Sequence, residues 1–520
     1  MPVAEASLLV AAIGCGVTLI WFVCLAYLNP ARSGFFHANQ SLDTSRIRAN
    51  LAATATSLAG AIFFFLNATP LFGWLMLLVP IVNVAGVLLF LWVVRAEEPD
   101  PENTGSIFRF LLHRTRDRRI AQHCNYIVVL NFVTVFVIEI VIGAQIFSYF
   151  FAGMESVQEA ARLIGAALLS GVVLWYVWKG GFAAVSQTDN WQFNLVIGGF
   201  VLTLGVLAYR WIDGGAQMHA LVDVFAQPKI EASFQRSFLI NLLIINLFLP
   251  VTQISTWQRF SAGKRKDVVK GFLDGLWKNL LPLWYVVIAL AAILYLTTGE
   301  SGFEALFNSL RDGHALSALL VFPLLFVALA AALLSTADSM LIAIMLAVED
   351  ARHGAEAEDG VDELHANGNG GAPDDTASGD PTDDDTQQDL VGNVADTAAH
   401  SMPSSRNVIV TGISVVVVAL VAAFVVSISS ADFEQTVTQL LFAGYGMPCL
   451  LFPIVVSRWG KSGRQRRSAV VIVGLWGGMV VLWAGSIYGL ASGDFRGTHL
   501  GPVVGIAVVA GAMWLARSRQ

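Results

Sequence analysis

Five stretches of this chain set oxygen-bearing side chains inside otherwise apolar sequence. ALAAALLSTADSMLIAIMLAVED buries Ser335, Thr336 and Asp338 in a long apolar run. Adjacent hydroxyls lie about 100° apart around a helix, so both can flank one ion. They can equally bond back to carbonyls of their own helix. An acid inside the membrane is costly and marks an ion or solute path. LAATATSLAGAIFFFLNATP has small and hydroxyl residues from Ala52 to Gly60. That composition suits a locally unwound helix whose carbonyls coordinate a cation, or tight helix packing. INLLIINLFLPVTQISTWQRF surrounds Pro250 with Asn241, Asn246 and Gln253. Proline removes a backbone bond and crowds the preceding turn, which predicts a kink or a break near Leu249. KGGFAAVSQTDNWQ brings a glycine pair, Thr188 and Asp189 to a helix mouth, where a turn and an N-cap would suffice. Glu139, in VFVIEIVIGAQIF, either lines a wet interior or pairs with a neighbouring helix.

The elements that hold these groups follow from composition. The chain has 520 residues, 56% hydrophobic and 13% charged, against roughly 45–50% and 25% for soluble domains. Apolar runs of about 20 residues recur from Ser7 to Trp514, each able to cross the ~30 Å hydrocarbon layer. Thirteen spans are predicted, near 7–28, 49–70, 73–94, 125–151, 159–178, 191–211, 236–257, 276–297, 316–348, 407–430, 435–457, 468–492 and 498–516. The start, MPVAEASLLV, carries Glu5 and no basic stretch, unlike a cleaved signal peptide. Cys15, Cys24, Cys124 and Cys449 have no CxxC spacing and read as buried free thiols.

Charge is divided sharply. Residues 349–400 hold fifteen acids and one Arg, so the rest of the chain carries a net +7 within a total of −7. Basic clusters such as Arg114–Arg119, Lys264–Lys270 and Arg458–Arg467 all fall on one side of a thirteen-span chain. The positive-inside rule then puts the N-terminus outside and the C-terminus in the cytoplasm, with the plasma membrane as location. The acidic stretch 350–405, nearly devoid of large apolar residues, is predicted to be a disordered cytoplasmic linker.

The two candidate breaks, in spans 2 and 7, are five spans apart. Matched interruptions of this kind point to inverted repeats with a midplane site. The repeats would be 49–211 and 236–457, the second interrupted by the acidic segment. Residues 1–48 and 468–520 would be peripheral. Position and polarity put a solute near Ser57, Ala59, Asn246, Pro250 and Gln253.

Three motifs carry a family resemblance. GGFAAVSQTDNWQ (180–192) resembles the GGxxAVxxTDxxQ signature of the sodium/solute symporter family. ALLSTADS (332–339) is similar to its AxxSTxDS segment, and TWQRFSAGK (256–264) to its QRxxAAK stretch. The resemblance implies an all-α polytopic membrane protein of about thirteen transmembrane helices with a LeuT-like 5+5 inverted repeat. It also implies a coupling Na+ held by the carbonyls of Ala55, Leu58 and Ala332 and the hydroxyls of Ser335 and Thr336. Asp189 would assist sodium release at the inner mouth. The chain departs from the family in having Gln40 where its turn before span 2 carries Arg. The proline-transporting branch has Asp where this chain has Ser57, although the STADS segment resembles that branch most.

These features predict sodium-coupled symport of a small organic solute, an amino acid such as proline being favoured, by alternating access. The alternative is a membrane sensor with 350–405 as its output segment. An enzyme is not expected: there is no HExxH, and GNGG lacks the lysine and strand of a P-loop. The expected partners are a small solute, sodium and the lipid bilayer, with no nucleic acid.

Overall fold

The computed structural model describes residues 3–28, 35–36, 41–96, 106–151, 155–215, 217–226, 228–311, 317–367, 405–428, 433–457 and 465–518. Among these, every regular element is helical. Span 1 is Val3–Leu28, and span 2 is the pair Thr44–Ala55 and Leu58–Phe72, bent by 54°. Spans 3 and 4 are Leu75–Ala96 and Arg118–Ser148. Span 7 is Ala232–Thr252 continued by Ile254–Ser261, and span 8 is Arg265–Thr298. Span 9 is Ser317–Ala351. Spans 10 to 13 are Ser405–Ile428, Thr436–Val456, Gln465–Ser492 and Arg496–Ser518.

Spans 5 and 6 come from one helical stretch, Glu155–Asp213. Straight, its 59 residues would reach about 88 Å, some three times the bilayer core. It bends at Gly181, whose φ of 55° and ψ of −161° only glycine adopts without strain. All thirteen predicted spans correspond to helices among the described residues: nine helices are long and apolar enough to cross a membrane, the bend at Gly181 divides one of them, the bent pair of span 2 adds another, and spans 1 and 10 hold shorter apolar stretches, Ala6–Trp21 and Val410–Ala422. The protein is a multi-pass membrane protein.

The bend at Gly181 also corrects two sequence expectations. Span 6 begins near Phe182, whose N–H donates to Phe35 O at 2.8 Å, rather than at 191. Asp189 lies two turns inside that helix and is fully buried, not at its mouth. Neither Thr188 nor Asp189 is an N-cap; the Thr188 hydroxyl donates back to Val185 O.

The helix of span 9 runs on to Asn367, so the first part of segment 350–405 is helical where disorder was predicted. The run ARHGAEAEDGVDELHAN is rich in helix formers and extends a helix already nucleated. Asp350, nearly buried, is tied to Arg109 at 3.1 Å. Residues 368–404 lie outside the described residues. All four cysteines are free, as expected, but on span 1 Cys24 is exposed and Cys15 half-buried, and only Cys124 and Cys449 are buried.

Span 9 packs against spans 4, 5 and 6 and forms the centre of the bundle, while span 3 lies along span 7. Gly86 of span 3 makes that second contact possible. A Cβ there would meet Asn246 O at 2.3 Å, the carbonyl that Pro250 leaves without its usual donor.

Candidate functional site

Span 2 stops being helical at Thr56 and Ser57 (Ser57 φ −61°, ψ 145°) and resumes at Leu58. Two amides that would close the next turn are diverted. Ala59 N–H, the usual partner of Ala55 O, donates instead to both carboxylate oxygens of Glu139 at 3.2 Å. Gly60 N–H, the usual partner of Thr56 O, donates to Ser57 Oγ at 2.6 Å. Glu139, buried on span 4, thus pairs with a neighbouring helix, the second of its two readings: it caps the second half of span 2. The Ala55 carbonyl is freed by the same exchange.

Span 7 breaks at Gln253 (φ −85°, ψ 119°), four residues beyond the predicted position at Leu249. The helix continues through Pro250, because the bond that proline forfeits is the one to Asn246 and the Gln253 N–H still reaches Leu249 O. At the break itself the Trp257 indole donates to Val251 O at 2.9 Å.

The two breaks flank a cavity of about 130 Å³. Of the five residues read as a solute site, Ser57, Asn246, Pro250 and Gln253 line it. Ala59 does not, since its amide faces Glu139. The sequence did not single out Asn83 of span 3, Trp284 of span 8 or Tyr445 of span 11, which also line it, and Thr256 and Arg259 of span 7, lining it too, were noted only as part of the TWQRFSAGK motif. At the end of span 2 toward Phe72, Phe64, Phe238 and Phe442 form one wall. Behind them His499, from the supposedly peripheral span 13, is buried against Phe234 and Phe442 at ring distances of 4.8 and 5.1 Å.

A buried polar network closes the other end. The Arg259 guanidinium donates to Asn50 Oδ1, to Thr54 Oγ1 and, at 2.9 Å, to Ser255 O. Thr54 and Ser339 hydroxyls pair at 3.1 Å. Asn50 Nδ2 donates to Asp189, which also accepts from Ser335 Oγ at 2.5 Å. One cation and one carboxylate, bridged by Asn50, therefore join both broken helices to spans 6 and 9. An Arg that follows an apolar run reads as a loop charge, so only its position in QRxxAAK hinted at more.

The residues implied as sodium ligands lie on spans 2 and 9, which pack against each other. Ser335 gives its hydrogen to Asp189, which leaves its oxygen lone pairs available. Thr336 donates to Ala332 O at 3.2 Å, so two of the implied ligands bond to each other. Asp338 is buried, and both its oxygens lack a hydrogen-bond partner. Among the described residues, no three His, Cys, Asp or Glu side chains converge as a metal site.

No family model matches the chain, and no curated protein matches it. Solved structures do. A Na+-coupled sialic acid symporter, in a substrate-bound outward-open state, superposes with a TM-score of 0.62 at 14% identity, covering 98% of this chain and 97% of that one. The nucleobase-cation-symport-1 family transporter Mhp1, in a closed conformation with bromovinylhydantoin bound, gives 0.47 at 12% identity over 94% and 96%. An Eremococcus coleocola manganese transporter gives 0.49 at 12% identity over 93% and 94%. The first likeness establishes the fold: an all-α polytopic membrane protein of the LeuT-like 5+5 kind.

Proposed function

We propose that this chain is a sodium-coupled symporter that moves a small organic solute across the membrane by alternating access. The observation that carries this reading is that two helices, broken five spans apart, open onto one cavity in the fold of a Na+-coupled symporter. Matched breaks bring backbone carbonyls and amides to midplane, where lipid offers them no alternative partner.

In this reading sodium binds between spans 2 and 9, on the carbonyls of Ala55, Leu58 and Ala332 and the hydroxyls of Ser335 and Thr336. Neutral oxygens suit a hard monovalent cation that must also be released. The diverted Ala59 amide supports a role for Ala55, and the donor role of Ser335 toward Asp189 leaves its lone pairs for the ion. Asp189 then draws the departing ion inward from a buried position rather than from the mouth. The repeats are 49–211 and 236–457, with 468–520 outside them. The N-terminus is outside and the C-terminus is in the cytoplasm of a plasma-membrane protein. The resemblance favours an amino acid such as proline as solute.

The test is uptake of a labelled solute panel into reconstituted vesicles, with and without an imposed inward sodium gradient. The expected result is accumulation that requires the gradient. Uptake indifferent to sodium overturns the coupling ion.

A further inference from the structure

We infer that the solute of this cavity carries no charged group and that Glu139 excludes carboxylates from it. The inference rests on reading the cavity as the solute site, and it replaces the amino-acid expectation, because every amino acid carries a carboxylate at neutral pH. A broken helix ordinarily offers an anionic group the free amides and positive dipole end of its second half. Here both offers are already taken. Both Glu139 oxygens hold the Ala59 amide at 3.2 Å, and Ser57 Oγ holds the Gly60 amide at 2.6 Å. Ser57, Gly60 and Tyr445 line the cavity while Glu139 does not, so it acts from behind the wall. A solute carboxylate at this point would find no amide to bind and a buried carboxyl group beside it.

Arg259 offers no substitute. It lines the cavity, but its guanidinium is spent on Asn50, Thr54, Ser255 O and Ser339, with Asp189 as the balancing charge behind Asn50. No acid lines the cavity, so a cation finds no direct partner either. What remains available is neutral. The side chains of Asn83 and Gln253 make no hydrogen bond within the described residues. Trp284 Nε1 is buried without a partner. Two amides and an indole supply donors and acceptors together, beside the rings of Phe64 and Phe65. This constellation fits a small uncharged molecule with both a donor and an acceptor, such as an amide or lactam.

The experiment is ligand-induced thermal stabilisation of the purified full chain in nanodiscs at fixed sodium. The probes are matched pairs, nicotinamide with nicotinate and 2-pyrrolidinone with pyroglutamate, together with L-proline. In the wild type each neutral member should act at concentrations about tenfold below its carboxylate partner. Carboxylates or L-proline acting at equal or lower concentrations overturn the inference. Glu139→Ala, which frees the Ala59 amide, should raise carboxylate affinity relative to neutral by about tenfold, and Glu139→Gln, which removes only the charge, by less. Should the Ala variant fail to fold, the Gln variant decides. An unchanged carboxylate-to-neutral ratio in the folded variants overturns the role of Glu139. Because binding is read without a gradient, the two proposals fail separately. Neutral ligands that bind but are never moved by sodium overturn symport alone. Sodium-driven uptake of a tightly bound carboxylate overturns this inference alone.

Discussion

The two broken helices solve the same backbone problem in different ways. In span 2 one diverted amide is received by another span, Glu139 of span 4, and Ser57, which receives the other, lies 3.4 Å from Tyr445 of span 11. In span 7 the break is mended within its own segment, by Trp257 on Val251 O and by Thr252 on Phe248 O. The first break therefore depends on where its neighbours stand. The second is held by bonds within its own segment. A cation bound at the first would respond to movement of span 4 or span 9, whereas the bonds that close the break in span 7 need no neighbouring span.

Arg259 joins the two breaks, so its loss should abolish the contrast and give the largest effect. Arg259→Ala leaves Asn50 and Thr54 without their buried donor and removes the charge that balances Asp189 through Asn50, each such loss costing about 1–3 kcal/mol. A large fall in the thermal unfolding midpoint is expected, partly restored by adding Asp189→Asn. A double variant no more stable than Arg259→Ala would show that the two charges are not coupled through Asn50.

Glu139→Ala comes next. It orphans the Ala59 amide at a cost of about 1–3 kcal/mol, and it should act on span 2 alone. Hydrogen exchange checks this: Ala59 and Gly60 should lose protection while residues 250–257 keep theirs. Trp257→Phe is the mirror experiment with a smaller effect, about 1 kcal/mol, because the ring still packs on Phe90 and Phe110 and only the bond to Val251 O is lost. Here protection near 253–257 should fall and that of Ala59 should not. Equal loss at both breaks in either variant would erase the distinction.

How much of this was readable beforehand depends on range. Hydropathy located the apolar helices, because apolar length against bilayer thickness is a local property. Pro250 announced a disturbance in span 7, but it specifies only the bond to Asn246; where the chain leaves the helix depended on Trp257 folding back. Gly180 and Gly181 were visible as a pair, yet a glycine does not say on which side of it a helix resumes, so Asp189 was set at the mouth. Glu139 and Arg259 were hardest. Their partners are 80 and about 205 residues away, and a buried charge reveals its task only when those partners are in place.

The smallest structural effect belongs to the hydroxyls of span 9, and it separates the ion from the scaffold. The Thr336 hydroxyl bonds to a carbonyl of its own helix, Ala332 O, which the helical backbone also serves. Such back-bonding adds little to stability, and alanine is the better helix former. Thr336→Ala should therefore change unfolding by no more than about 0.5 kcal/mol. Ser335 differs, since its hydrogen goes to Asp189 at 2.5 Å in a buried network. Ser335→Ala removes one donor from that carboxylate and should cost about 1–3 kcal/mol. If both oxygens also serve sodium, each variant raises the sodium concentration needed for half-maximal uptake, and the double variant loses coupling. The two readouts then disagree for Thr336 alone: sodium dependence moves while stability stays. Stability and sodium dependence that shift together at Ser335, with Thr336→Ala matching wild type in both, would leave Ser335 a support for Asp189 and move the ion away from Thr336.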